Sequence, residues 1–128
     1  MLFDTTFRID LEREARQQRE GAATRFLIGH PAEALAVSII TTGEFAEGYA
    51  ADGQAACWAA LSLYAVLDLD RETVWLGAQL SRDLRSAGLP IGDNDIWIAA
   101  TALRHGLTLV TRNAAHFGRV AGLLVLSY

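Results

Sequence analysis

Apolar residues come in short blocks along this chain, and polar turns cut the blocks apart. Met1–Phe3 is apolar and ends at Asp4-Thr5-Thr6, which predicts a buried strand running into a polar turn. From Phe7 to about Gly29 the spacing predicts helix, with Ile9, Leu11, Phe26, Leu27 and Ile28 as its apolar markers. Acids and arginines alternate over Glu12–Glu20, as on a solvated face laced with weak ion pairs. After Pro31, Leu35–Ile40 is β-rich and reads as the second strand, with a helix from about Thr41 to Ala51 behind it. A further helix is expected near Gln54–Tyr64, burying Cys57, Trp58, Leu61 and Leu63, then a short strand at Val66–Leu69. Arg71–Ala87 is helical, and Gly88-Leu89-Pro90 ends it. Leu107–Val110 is a fourth strand, Ala114–Phe117 a turn of helix, and Leu123–Leu126 the last strand.

The most informative stretch is Ile91–Asn113, IGDNDIWIAATALRHGLTLVTRN. Asp93 or Asn94 can cap a helix there, and Asp95 falls in its first turn, where the positive end of the helix dipole favours a carboxylate. Ile96, Ala99, Ala100 and Leu103 share one face, and Gly106 supplies the stop. Strands alternating with helices predict an α/β domain around a mainly parallel sheet of about five strands. With 128 residues, no repeats and no linker, one domain over 1–128 is expected.

Composition removes several kinds of chemistry. The net charge is −4, so no broad basic nucleic-acid surface is expected. All 11 basic residues are arginine, which excludes a P-loop, a Schiff base and a lysine general base. Cys57 stands alone, so neither an intrachain disulfide nor a cysteine–histidine zinc site can form. No signal-like apolar region precedes Asp4 and no uncharged run approaches a membrane span, so a soluble, cytoplasmic protein without membrane contact is expected.

The acids gain meaning from the strand plan. In a parallel sheet the carboxyl ends of the strands share one edge, and ligands bind in the crevice there. Asp4 follows the first strand, Glu44 the second and Asn113 the fourth, so the three are predicted neighbours. Asp93 and Asp95 open the helix that leads into the fourth strand, and Asp95 can join them if that helix starts at the same edge. Carboxylates gathered in one crevice repel one another, and burial makes each harder to ionise. An oxygen-only set of this kind suits a hard cation, Mg²⁺ or Mn²⁺, and phosphoryl-transfer chemistry. Each acid also has a plainer role. Thr41-x-x-Glu44 fits a capping box, Asp93 a helix cap, Asp95 a dipole-favoured position and Asn113 a turn; Asp4 has no evident capping partner. His30, His105 and His116 show no ligand spacing, and Trp97 is the one tryptophan expected near the crevice.

Three stretches, LFDTT at the start, SIITTGEFAEG after the second strand and IGDNDIWIAATALRHGLTLVTRNAAHF followed by GLLVLSY, resemble the PIN-domain ribonucleases, specifically the VapC-type toxins of bacterial toxin–antitoxin pairs. The resemblance runs over essentially the whole chain. It implies a PIN-like three-layer domain, an endoribonuclease dependent on Mg²⁺ or Mn²⁺, a homodimer, an RNA substrate and a cognate antitoxin. By position it makes Asp4, Glu44 and Asp95 the central acids and metal ligands, puts Asn113 where many members carry a fourth acid, and leaves Asp93 as an extra acid able to offset that loss. Thr6 stands where its hydroxyl can hold the neighbouring carboxylate. Arg8, Arg13, Arg16, Arg19 and Arg112 are the candidates for holding RNA phosphates. Two other readings remain: a degenerate PIN fold kept as an interaction module, favoured by Asn113, and a housekeeping PIN nuclease in RNA processing. A haloacid-dehalogenase-like phosphatase fails, because Thr6 stands where its second aspartate belongs and there is no lysine.

Overall fold

The computed structural model describes residues Met1–Tyr128. Its elements are β1 (Leu2–Phe3), α1 (Thr5–Arg16), α2 (Ala22–Gly29), β2 (Ala36–Ser38), α3 (Ile39–Ala46), α4 (Gln54–Leu61), β3 (Ala65–Leu67), α5 (Arg71–Ser86), α6 (Asp93–Arg104), β4 (Leu109–Val110), α7 (Ala114–Phe117) and β5 (Val125–Leu126). The five strands form one sheet in the order β3-β2-β1-β4-β5, and every pairing is parallel. This is the expected α/β architecture, with β1 at the centre.

The pleat divides the core. Successive strand residues face opposite sides of a sheet. Leu2, Ala36 and Leu109 therefore pack with Leu84, Ile96, Ile98, Ala99, Ala102 and Phe117 of α5, α6 and α7. Phe3, Val37 and Val110 pack on the other side with Phe7, Ala23, Phe45, Cys57 and Leu61 of α1 to α4. Two apolar layers against one sheet make three layers in all.

Several local expectations are corrected. The single helix over Phe7–Gly29 is two helices, because Gln18 takes a left-handed φ of 48° and turns the chain after α1. Glu14 then stabilises the break: its carboxylate accepts from the backbone N–H of Ala23 and Thr24 and from the Thr24 hydroxyl, capping α2 from outside. The second strand ends at Ser38, and α3 begins at Ile39 with Ser38 as its N-cap, accepting from the Thr41 N–H at 3.0 Å. Thr41 and Glu44 thus form no capping box, and Glu44 is left for another role. Of the four residues expected to be buried around α4, Cys57 and Leu61 are, whereas Trp58 and Leu63 are exposed.

Helices α5 and α6 meet where Gly77 faces Trp97. A methyl group on Gly77 would lie 2.6 Å from Trp97 Cε3. Gly77→Ala is expected to cost about 1–3 kcal/mol through overpacking, seen as a lower denaturant midpoint with an unchanged slope. The same contact removes Trp97 from the crevice. It stands two residues after Asp95, about 200° around the helix, and so faces α5 instead.

Candidate active site

Asp4 is fixed by the sheet. Phe3 pairs with Val110, which sets Asp4 beside Thr111 at the carboxyl edge. Thr111 donates to Asp4 Oδ2 at 2.5 Å, Thr6 donates from its hydroxyl at 2.7 and 2.8 Å, and the Phe7 N–H donates to Oδ1 at 2.9 Å. Asp4 is therefore the N-cap of α1, a partner the sequence pattern had not disclosed. It is only 3% exposed. Burial raises its pKa most; the bonds from Thr111, Phe7 and Thr6 offset this in part, and the nearby Glu44 charge raises it further.

Glu44, on α3, accepts from the Thr5 hydroxyl through Oε2 and from Asn94 Nδ2 at 2.8 Å through Oε1. Asp95, in the first turn of α6, is half-buried. Its pKa is raised first by burial and then by the Glu44 and Asp4 charges, while His116 lowers it. Asp4, Glu44 and Asp95 come from three elements and line one cavity of about 380 Å³, together with Thr5, Thr6, Ile9, Glu47 and Ile98. The expected meeting of the three acids thus occurs.

Two other predicted residues lie elsewhere. Asp93 has its side chain 85% exposed and 3.7 Å from Arg85, outside the cavity. It opens α6, but Gly92 is the N-cap and no side chain caps that end. Two residues before Asp95, it too points about 200° away from it. Asn113 likewise does not line the cavity. Its Nδ2 lies 2.7 Å from His116 Nδ1, and that ring nitrogen is 3.6 Å from Asp95 Oδ2. Asn113 reaches the acids only through His116.

Sequence reasoning missed His116, Thr111 and Glu47, a fourth acid that lines the cavity one turn after Glu44. His116 was set aside for want of ligand spacing, yet α7 carries it to the rim. Thr111 had a usable signal: strand register alone places the residue after Val110 next to the residue after Phe3.

The donor set tests what this cavity can hold. No three Asp, Glu, His or Cys side chains converge closely enough to hold an ion as they stand. The reason is local, since Asp4 and Glu44 are each tied to hydroxyl and amide donors. In kind, three carboxylates, of which Asp4 and Asp95 have raised proton affinity, fit a hard divalent cation, which would neutralise their repulsion once the side chains close on it. A pH dependence follows. Because Asp4 and Asp95 hold their protons more tightly in the folded chain, their favourable contribution is complete at acid pH. It is lost as pH rises through their raised folded values. Added Mn²⁺ should therefore raise Tm little at about pH 4 and clearly at about pH 7, as scanning calorimetry would show.

Comparisons with known proteins extend this geometry. Ribonuclease VapC1 of Methanocaldococcus jannaschii is 29% identical over 121 residues, covering 94% of this chain and 80% of the relative. Ribonuclease VapC1 of Rickettsia felis is 41% identical over 66 residues, and that match spans 52% of this chain and about half (49%) of the relative. Among solved structures, DNA-bound VapBC from Salmonella typhimurium has a TM-score of 0.78 and 25% identity, covering 98% of this chain and 95% of the other. The PIN domain pattern matches residues 1–123, from the first strand to the approach of the last, and so takes in all three acids; the chain belongs to the PIN-domain family.

Proposed function

We propose that this chain is a metal-dependent endoribonuclease, the toxin of a toxin–antitoxin pair. The observation that carries the reading is the single cavity lined by Asp4, Glu44 and Asp95, with no arginine among its lining residues. Ribonuclease names among the relatives support the reaction, and the VapBC complex supports the pairing.

Asp4, Glu44 and Asp95 would hold Mg²⁺ or Mn²⁺. Once bound, the cation supplies an acidified water and positive charge opposite a phosphodiester. The chain's own part is to hold Asp4 in place while the freer carboxylates close on the ion. Asp4 cannot swing, because Thr6, Thr111 and the Phe7 N–H hold both its oxygens. Glu44 is steadied by Thr5 and Asn94, and Asp95 is the freest of the three, with only His116 3.6 Å away. Three bare carboxylates would repel an RNA phosphate, so substrate and cation are expected to bind together.

Asn113 was the one feature favouring a degenerate interaction module. Since it lies outside the cavity, its lack of charge does not weaken the acid cluster. The same reading makes residues 1–128 one domain, gives the chain a homodimeric state and a cognate antitoxin, and places it in the cytoplasm. No helix is long and apolar enough to cross a membrane.

Induced expression in a bacterial host tests the toxin reading. Wild type should arrest growth, and Asp95→Asn should not. Normal growth while folded wild type accumulates would overturn it.

A further inference from the structure

Five arginines were left unranked by sequence, and the structure separates them. Arg8 is buried, donating to the Tyr64 hydroxyl at 3.0 Å and the Ala60 carbonyl at 2.9 Å beneath the Phe45 and Tyr64 rings. Arg16 pairs with Glu12 at 2.9 Å. Arg19 lies beyond α1, whose 12 residues put it about 18 Å from the Asp4 end. Arg13 and Arg112 differ from all of these, because they converge on one carboxylate.

That carboxylate is Asp10, whose side chain is 8% exposed. Arg13 Nη1 lies 3.3 Å and Arg112 Nη2 3.2 Å from the same oxygen, Oδ1; Arg112 Nη2 also lies 2.9 Å from Oδ2. The Tyr128 hydroxyl donates to Oδ2 at 2.8 Å. Asp10 thus has donors on both oxygens, while both guanidinium groups stay more than half exposed. One negative charge against two positive leaves a local excess of one positive charge in a chain of net charge −4. Each guanidinium has five N–H donors, and Asp10 engages only part of them.

The pair also stands in the right place. Arg112 follows Thr111, which bonds Asp4. Tyr128 lies against Thr6, which bonds Asp4 from the other side. Arg13 lines a groove of about 330 Å³ along α1 and α3 that shares Ile9 and Glu44 with the acid-lined cavity. A strand crossing the acids and leaving past Ile9 meets Arg13 next.

We propose that Arg13 and Arg112, held together by Asp10, form a phosphate-binding subsite that anchors the RNA backbone beside the cleavage position. The inference rests on the ribonuclease reading. Asp10 takes the place of a rigid mount: it aligns two forks that would otherwise repel each other, so their outer N–H groups can share one phosphate.

The test uses the full chain carrying Asp95→Asn, binding a fluorescein-labelled single-stranded RNA of mixed sequence over a range of salt concentrations with Mn²⁺ present. Arg112→Ala and Arg13→Ala should each weaken binding roughly tenfold and lower the salt slope by about 0.7, the value for one phosphate contact on a single strand. Arg112→Lys should recover the slope. Arg104→Ala is the matched control, since Arg104 also pairs with an aspartate, Asp70, but lines neither the acid cavity nor the groove that carries Arg13. In the cleaving chain the two alanine variants should raise KM and leave kcat near wild type. Wild-type affinity and slope in both variants, or an equal loss in Arg104→Ala, would overturn the subsite. Failure of both the Asp95→Asn chain and the wild type to bind or cut any RNA with Mn²⁺ present would instead overturn the ribonuclease reading.

Discussion

Asp95→Asn should lower RNA cleavage roughly 10²- to 10³-fold or more, with the fold intact. The change is nearly isosteric and removes one full charge from the cavity that Asp95 shares with Asp4, Glu44 and Glu47. It leaves the backbone of α6 unchanged, because the cap of that helix is Gly92 and the Asp95 side chain makes no hydrogen bond that caps it. Burial and the Glu44 and Asp4 charges already make the Asp95 carboxylate costly to ionise, so the metal-free variant should melt no lower than wild type. Activity and stability therefore separate. Melting curves beside cleavage rates check this, and a variant that loses both together would place Asp95 in the fold instead of the site.

Phe7→Ala should cost about 3–5 kcal/mol, the largest stability loss expected of any single change here. Phe7 is fully buried, with its ring 4.5 Å from Phe3, 5.9 Å from Phe26 and 4.7 Å from Tyr128 between centroids. It joins the central strand, α2 and the chain's last residue at one point. Against the 5–15 kcal/mol typical of a domain's total stability, that loss is a large share. Tm should fall by roughly 10–20 °C. Tyr128 leans on this ring while it bonds Asp10, so the arginine pair should loosen along with the core. A denaturant midpoint within about 1 kcal/mol of wild type would show that the cluster repacks readily.

What the sequence made legible follows from periodicity. The order of strands and helices was readable because each strand is a brief apolar run closed by a polar turn, as at Phe3-Asp4. The gathering of Asp4, Glu44 and Asp95 was readable too, since parallel strands bring their carboxyl ends to one edge. What was not legible depends on angles inside elements. Asp93 and Trp97 looked like site residues by proximity to Asp95, yet two steps along a helix turn a side chain to the far face. Asn113 was placed correctly at the end of β4, but its amide turns to His116, a contact made across one turn of α7. The break after α1 carries only Gly21, which becomes the N-cap of α2, while the left-handed turn itself falls on Gln18 and the stabilising contact from Glu14 is tertiary. The Asp10 pairing joins residues 102 positions apart, beyond any local pattern.

The account's central claim is that these acids serve metal-dependent RNA hydrolysis. Its most direct test is cleavage of mixed tRNA and rRNA by the purified chain, with Mg²⁺ or Mn²⁺ and with a chelator, beside Asp95→Asn. Cutting by wild type is predicted only when the metal is present, and cutting by the variant at least about 10²-fold slower. Cutting undiminished by chelator, or no cutting by a folded wild type that also binds no Mn²⁺ in calorimetry, would contradict it.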